Sequence, residues 1–199
     1  MPPPDDTHLE LLRDAVATEA AGQRALLEGV ATPEALREAA ARYRASWEAA
    51  PPRSYGRLVG MLKAAVLAGD ARADAAYARA QLGAPGDPPP ASPGDSPTAS
   101  YAVAIAALVE GDDETARTAA SAMRAGSPAF VRAADAVEAL AAGDAAAYRA
   151  AVAAIVADFE ARDEHLTGVP IADTALMLER LAATRGLACR PSSPLLPAG

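Results

Sequence analysis

Aromatic residues make up only 4% of this 199-residue chain; cysteine occurs once, lysine once and histidine twice. Each scarcity excludes something. β-branched and aromatic residues are too few to build several strands, which removes a predominantly β fold. The single Cys189 cannot close an internal disulfide, the cysteine usage of a reducing compartment. His8 and His165 lie far apart and form neither a Glu-x-x-His nor a His-x-x-x-His pair, so no metal site is expected. No Gly-x-Ser-x-Gly elbow, glycine-rich phosphate loop or cysteine beside a base is present, so no catalytic residue and no cofactor are expected either. Positive charge is also short: 18 basic against 26 acidic residues give a net −8, with an isoelectric point near 4.8. That balance argues against a broad nucleic-acid-binding surface. The longest uncharged apolar stretch, about Ser96 to Val109, falls short of the roughly 20 residues that span a bilayer. Met1-Pro2-Pro3-Pro4-Asp5-Asp6 has neither the basic nor the apolar region of a secretory signal. The expectation is a cytoplasmic protein of high-GC coding bias with no membrane partner.

What is present in excess is alanine, 56 residues, with 19 Leu and 11 Val as the main larger apolar types. Such a composition favours helices that approach closely through alanine faces. Apolar residues recur at helical spacing from Leu9 to Val30, after a capping box formed by Thr7 and Glu10. Thr32-Pro33 starts a second helix, which Pro51 and Pro52 end, and a third runs from near Ser54 to Gly69. Gly69-Asp70, Gly111-Asp112, Gly126-Ser127 and Gly143-Asp144 each separate two apolar helical runs. Glycine in a left-handed conformation closes one helix, and Asp or Ser caps the next. The later helices are expected at about Ser100–Val109, Asp113–Ala125, Ser127–Gly143, Asp144–Asp163 and Pro170–Gly186. The expected fold is all-α: about nine helices in antiparallel hairpins, as an irregular TPR-like α-solenoid or a helical bundle.

Residues 83–98, GAPGDPPPASPGDSPT, read as a loop or linker between an N-terminal helical part, 1–82, and a C-terminal one, 99–186, that pack as one domain. The tail 187–199 is expected to lie extended across the body, anchored by Leu195 and Leu196.

Charge is uneven along the chain. Residues 99–199 carry 8 basic and 13 acidic side chains. The densest polar group is Asp158, Glu160, Asp163, Glu164 and His165, with Asp173 following. Carboxylates at a helix C-terminus oppose the macrodipole, so the cluster invites a reason. As a solvated helix end it is screened by Arg162; as a docking surface it would steer a basic protein into contact, with His165 at its edge.

The passage Val137 to Asp144, the long helix ending in Asp158 to His165, the helix Ala172 to Arg185 stopped by Gly186, and the tail Ser193-Pro194-Leu195-Leu196-Pro197 resemble the immunity 49 family. The resemblance covers residues 100–197. It implies an all-helical bacterial protein that neutralises a cognate toxin by occlusion, without enzymatic activity. A different reading of the same helices is a regulatory scaffold that holds a small ligand or peptide in a groove.

Overall fold

The computed structural model describes residues 6–30, 33–52, 54–83 and 96–198. Among these the helices are α1 (Thr7–Leu27), α2 (Pro33–Ala49), α3 (Gly56–Ala68), α4 (Arg72–Gly83), α5 (Pro97–Glu110), α6 (Asp113–Met123), α7 (Pro128–Ala142), α8 (Ala145–Glu160) and α9 (Asp173–Ala183), with no strand. The all-α fold is therefore observed. The Thr32 cap and residues 84–95 of the proline-rich span lie outside the described residues.

The Gly-Asp junctions act largely as expected. Gly69, Gly111 and Gly143 adopt φ of +91°, +80° and +70°, the left-handed region that closes a helix at little cost for glycine alone. Asp112 and Asp144 then cap α6 and α8, accepting from the Thr115 amide and from those of Ala146 and Ala147. Asp70 does not cap; α4 starts later, with Ala71 accepting from the Ala75 amide. Gly126 is no left-handed stop either. A Cβ there would come within 2.8 Å of Phe130 and Pro97, so this glycine allows a close approach between α5 and α7.

Helix ends move by a few residues for identifiable reasons. α5 starts at Pro97, three residues before Ser100, because Ser96 accepts from the Ala99 amide and Pro97 occupies the first turn. The N-cap of α1 is Asp6, one residue ahead of Thr7. α8 ends at Glu160 instead of Asp163, and α9 begins at Asp173 instead of Pro170. Asp163, Glu164 and His165 consequently sit in a connecting segment, not on a helix.

α3 packs on both α5 and α9, and α7 also packs on both, so these four helices close a ring. Closure makes the assembly a bundle of hairpins and not an open solenoid. α2 covers α3 and α1 covers α2, while α4, α6 and α8 join the ring helices as hairpin partners. Alanine is what lets the ring tighten: α5 buries Ala99, Ala102, Ala104, Ala106 and Ala107 beside Ile105 and Leu108. One apolar core runs through the helices on both sides of 84–95.

The tail is held as well as packed. Leu195 and Leu196 lie against the core, and the Leu195 carbonyl accepts from the Ala172 amide. Glu179 on α9 clamps the start of the tail, its carboxylate accepting from the Cys189 and Arg190 amides, the Cys189 thiol and the Tyr148 hydroxyl. Burial and the Glu179 charge push the Cys189 thiol up to about 11. At pH 8 the thiolate is then scarce, and its higher intrinsic nucleophilicity offsets only part of that loss. Alkylation of Cys189 by iodoacetamide is expected to run about tenfold slower than in the unfolded chain, and to accelerate in Glu179→Gln. Equal rates for the native and unfolded protein would contradict the clamp.

Candidate functional site

The only lysine of the chain lies almost wholly inside it. Lys63, on the inner face of α3, donates to Asp173 Oδ2 at 2.5 Å and to Thr174 Oγ1 at 3.2 Å, joining α3 to the start of α9. The two charged side chains are only 12% and 13% exposed. Burial alone would lower the lysine pKa, but the adjacent carboxylate outweighs it and holds Lys63 above its ordinary value.

A second buried group abuts this pair. Glu19 on α1 is 3% exposed and accepts from the Tyr43 hydroxyl at 2.6 Å and from Gln23 Nε2 at 3.0 Å. Burial raises the Glu19 pKa, which those hydrogen bonds only partly offset. Burial and the Glu19 charge in turn raise that of Tyr43. Gly60 makes the arrangement possible, since a Cβ there would stand 2.7 Å from the Tyr43 ring. Gln23, fully buried, accepts from Thr167 Oγ1 at 2.5 Å and so ties α1 to the segment between α8 and α9.

These groups floor a groove of three adjoining cavities. The first, about 410 Å³, is bordered by Glu19, Tyr43, Arg57, Gly60, Lys63 and Asp173. The second, about 140 Å³, has Gln23, His165 and Thr167 on its wall; the third, about 260 Å³, is mostly apolar, with Val59, Phe130, Ile155 and Phe159. Leu166 borders all three and is 85% exposed. Tyr101 Oη and His165 Nδ1 are buried on these walls without a hydrogen-bond partner among the described residues. A larger cavity of about 490 Å³ lies elsewhere, bordered by Gly69, Leu108 and Arg180. It borders none of this buried network, so volume alone does not mark the site.

The acidic cluster is not brought together as one free surface. Asp158 is bound by both Arg132 and Arg162; these guanidiniums outweigh burial and hold its carboxyl below the usual range. Asp173 is engaged by Lys63 and largely covered. Glu160 accepts from Ser193 Oγ at 2.7 Å and steadies the tail. Asp163 and Glu164 are exposed and make no ion pair among the described residues. His165 is half-buried, its ring stacked on Phe159 with centroids 6.2 Å apart. No cluster of metal-binding side chains occurs among the described residues, and no helix there is long and apolar enough to cross a membrane.

Sequence reasoning passed over Glu19, Gln23, Tyr43, Lys63, Tyr101 and Thr167 as functional residues. The available signals were the lone lysine in a chain with 17 arginines, and Glu19 and Gln23 sharing the buried side of α1. No protein-family model matches this chain, and no curated protein or solved structure is similar to it.

Proposed function

We propose that this is a non-enzymatic helical binding protein that takes a small, largely apolar ligand into the groove over Lys63. The observation that carries the reading is Leu166, an exposed leucine standing where three cavities meet above a buried charged floor. An apolar side chain held in solvent gains free energy when a ligand covers it. Binding is favoured over catalysis because Lys63 is kept cationic by Asp173 and so lacks the free electron pair of a nucleophile.

The test is thermal denaturation against a panel of apolar acids, bases and neutral amphiphiles. A true ligand raises the melting temperature saturably, by about 5–10 °C at a hundred times its dissociation constant. Leu166→Asp is expected to keep the fold and lose most of that rise. A flat response across the whole panel would remove the reading.

A second reading, neutralisation of a basic toxin by occlusion, is favoured by Asp163 and Glu164, exposed without ion pairs beside Leu166 in a chain of net charge −8. The resemblance to the immunity 49 family supports it. Capture from the native organism at low and moderate salt should then recover a basic protein that is toxic when expressed alone. Charge reversal at both residues should slow its association, by a factor that shrinks with added salt. Unchanged association would take this surface out of the contact.

A further inference from the structure

We propose that the end of the groove bounded by the first turns of α3 and α5 binds the carboxylate of an amphiphilic ligand, with Arg57 as its anchor and the apolar wall around Val59, Phe130 and Phe159 taking the alkyl part. The inference rests on the ligand-binding reading of the groove and adds to it the chemistry of the head group.

Arg57 borders the 410 Å³ cavity. Its Nε donates to Ser46 Oγ at 2.8 Å and its Nη2 to His8 Nδ1 at 2.9 Å, while Ser46 Oγ donates to the His8 carbonyl at 2.7 Å. These partners fix the guanidinium in place, and neither is a carboxylate that would cancel its charge. Among the described residues Nη1 has no acceptor and no carboxylate pairs with Arg57. The other cations on the groove are all paired, Lys63 with Asp173 and both Arg132 and Arg162 with Asp158. Among the described residues that line the groove, four cations thus face three carboxylates, one of which, Glu19, is driven towards its neutral form by burial. The positive excess belongs to this lining alone, since Asp163 and Glu164 stand exposed beside Leu166 at its rim.

Two further features point the same way. The first turns of α3, α5, α7 and α9 border the groove at Gly56, Thr98, Phe130 and Thr174, and each contributes partial positive charge. Tyr101, 7% exposed, makes no well-formed hydrogen bond through its hydroxyl among the described residues, although the Thr174 side chain is near, and it stands on the wall of the 260 Å³ cavity, which shares Gly56, Val59, Thr98 and Leu166 with the Arg57 cavity. A buried donor with no acceptor is costly, and a ligand oxygen would relieve it. With Arg57 the one cation on the lining that no described carboxylate pairs, and one of its nitrogens open, the subsite suits a monoanion better than a dianionic phosphate.

Calorimetric titration of the full chain with decanoate, decanol and decyltrimethylammonium, each below its micelle concentration, holds the alkyl part constant and varies only the head. Decanoate is expected to bind at least tenfold more tightly than the cation, with decanol between them. Arg57→Gln should bring decanoate to the level of decanol, whereas Arg57→Lys should keep part of the preference. Should Arg57→Gln fail to fold, the three affinities of the unaltered protein decide the matter. Equal binding of all three heads, or preference for the cation, would overturn the carboxylate subsite and leave the apolar groove standing. No binding of any of them would overturn both.

Discussion

Replacing Lys63 by methionine is expected to cost about 3–5 kcal/mol of stability, because it leaves Asp173 as an uncompensated charge among buried residues. The pair is 12% and 13% exposed, so solvent relieves little of that penalty. For a chain of this length the loss lowers the melting temperature by about 10 °C. Asp173→Leu alone should cost a similar amount, since it strands the ammonium beside Thr174 and Glu19. The double variant Lys63→Met/Asp173→Leu should recover most of the loss, because apolar groups of similar size can replace a buried pair at little net cost. Urea titrations followed by circular dichroism would measure all three. Single variants within about 1 kcal/mol of the parent, with no recovery in the double, would show the pair to be hydrated. The cycle also separates structure from ligand binding. If the double variant is stable yet no longer responds to ligand, the charge belongs to the groove's function and not to its scaffold.

The cycle concerns the part of the molecule that the sequence concealed. Helix content, hairpin order and most junctions could be read locally, because caps and left-handed glycines act within a few residues. Gly111-Asp112 and Gly143-Asp144 carry both signals and end and start their helices where expected. Gly126 shows where local reasoning stops: its smallness serves Phe130 and Pro97, which come near only once α5 and α7 pack. The groove is non-local throughout. Lys63 meets Asp173 across 110 positions and Gln23 meets Thr167 across 144, and no spacing rule connects such pairs. The acidic cluster is divided for the same reason. Its residues are close in sequence, yet Arg132, Lys63 and Ser193, brought in by other elements, claim Asp158, Asp173 and Glu160.

Titration to high pH is expected to unfold the protein over a narrow range between about pH 10 and 12. Burial is the leading cause of raised pKa values at Tyr43, Tyr101 and Tyr148, with Glu19 and Glu179 reinforcing it at the first and last. Lys63 is raised by Asp173 despite its burial. A group whose folded pKa lies above its unfolded value stabilises the native state fully below the unfolded value, and loses that contribution as pH rises through the folded one. The unfolded values are 10.0 for tyrosine and 10.5 for lysine, so all four losses begin in the same window and share one sign. Each contributes at most about 1.4 kcal/mol per pH unit, so the four together reach at most about 5.6 kcal/mol per unit, enough to exhaust a typical domain stability within two units. Tyrosinate absorbance at 295 nm should therefore climb in step with the loss of helical circular dichroism. Tyr101→Phe offers an internal control: it removes one ionisable group whose hydroxyl has no well-formed hydrogen bond among the described residues, so it should move the midpoint upward at little cost at neutral pH. Independent titration of Tyr43, Tyr101 and Tyr148 near pH 10, with helicity intact beyond pH 12, would mean that the ring formed by α3, α5, α7 and α9 admits water to its floor.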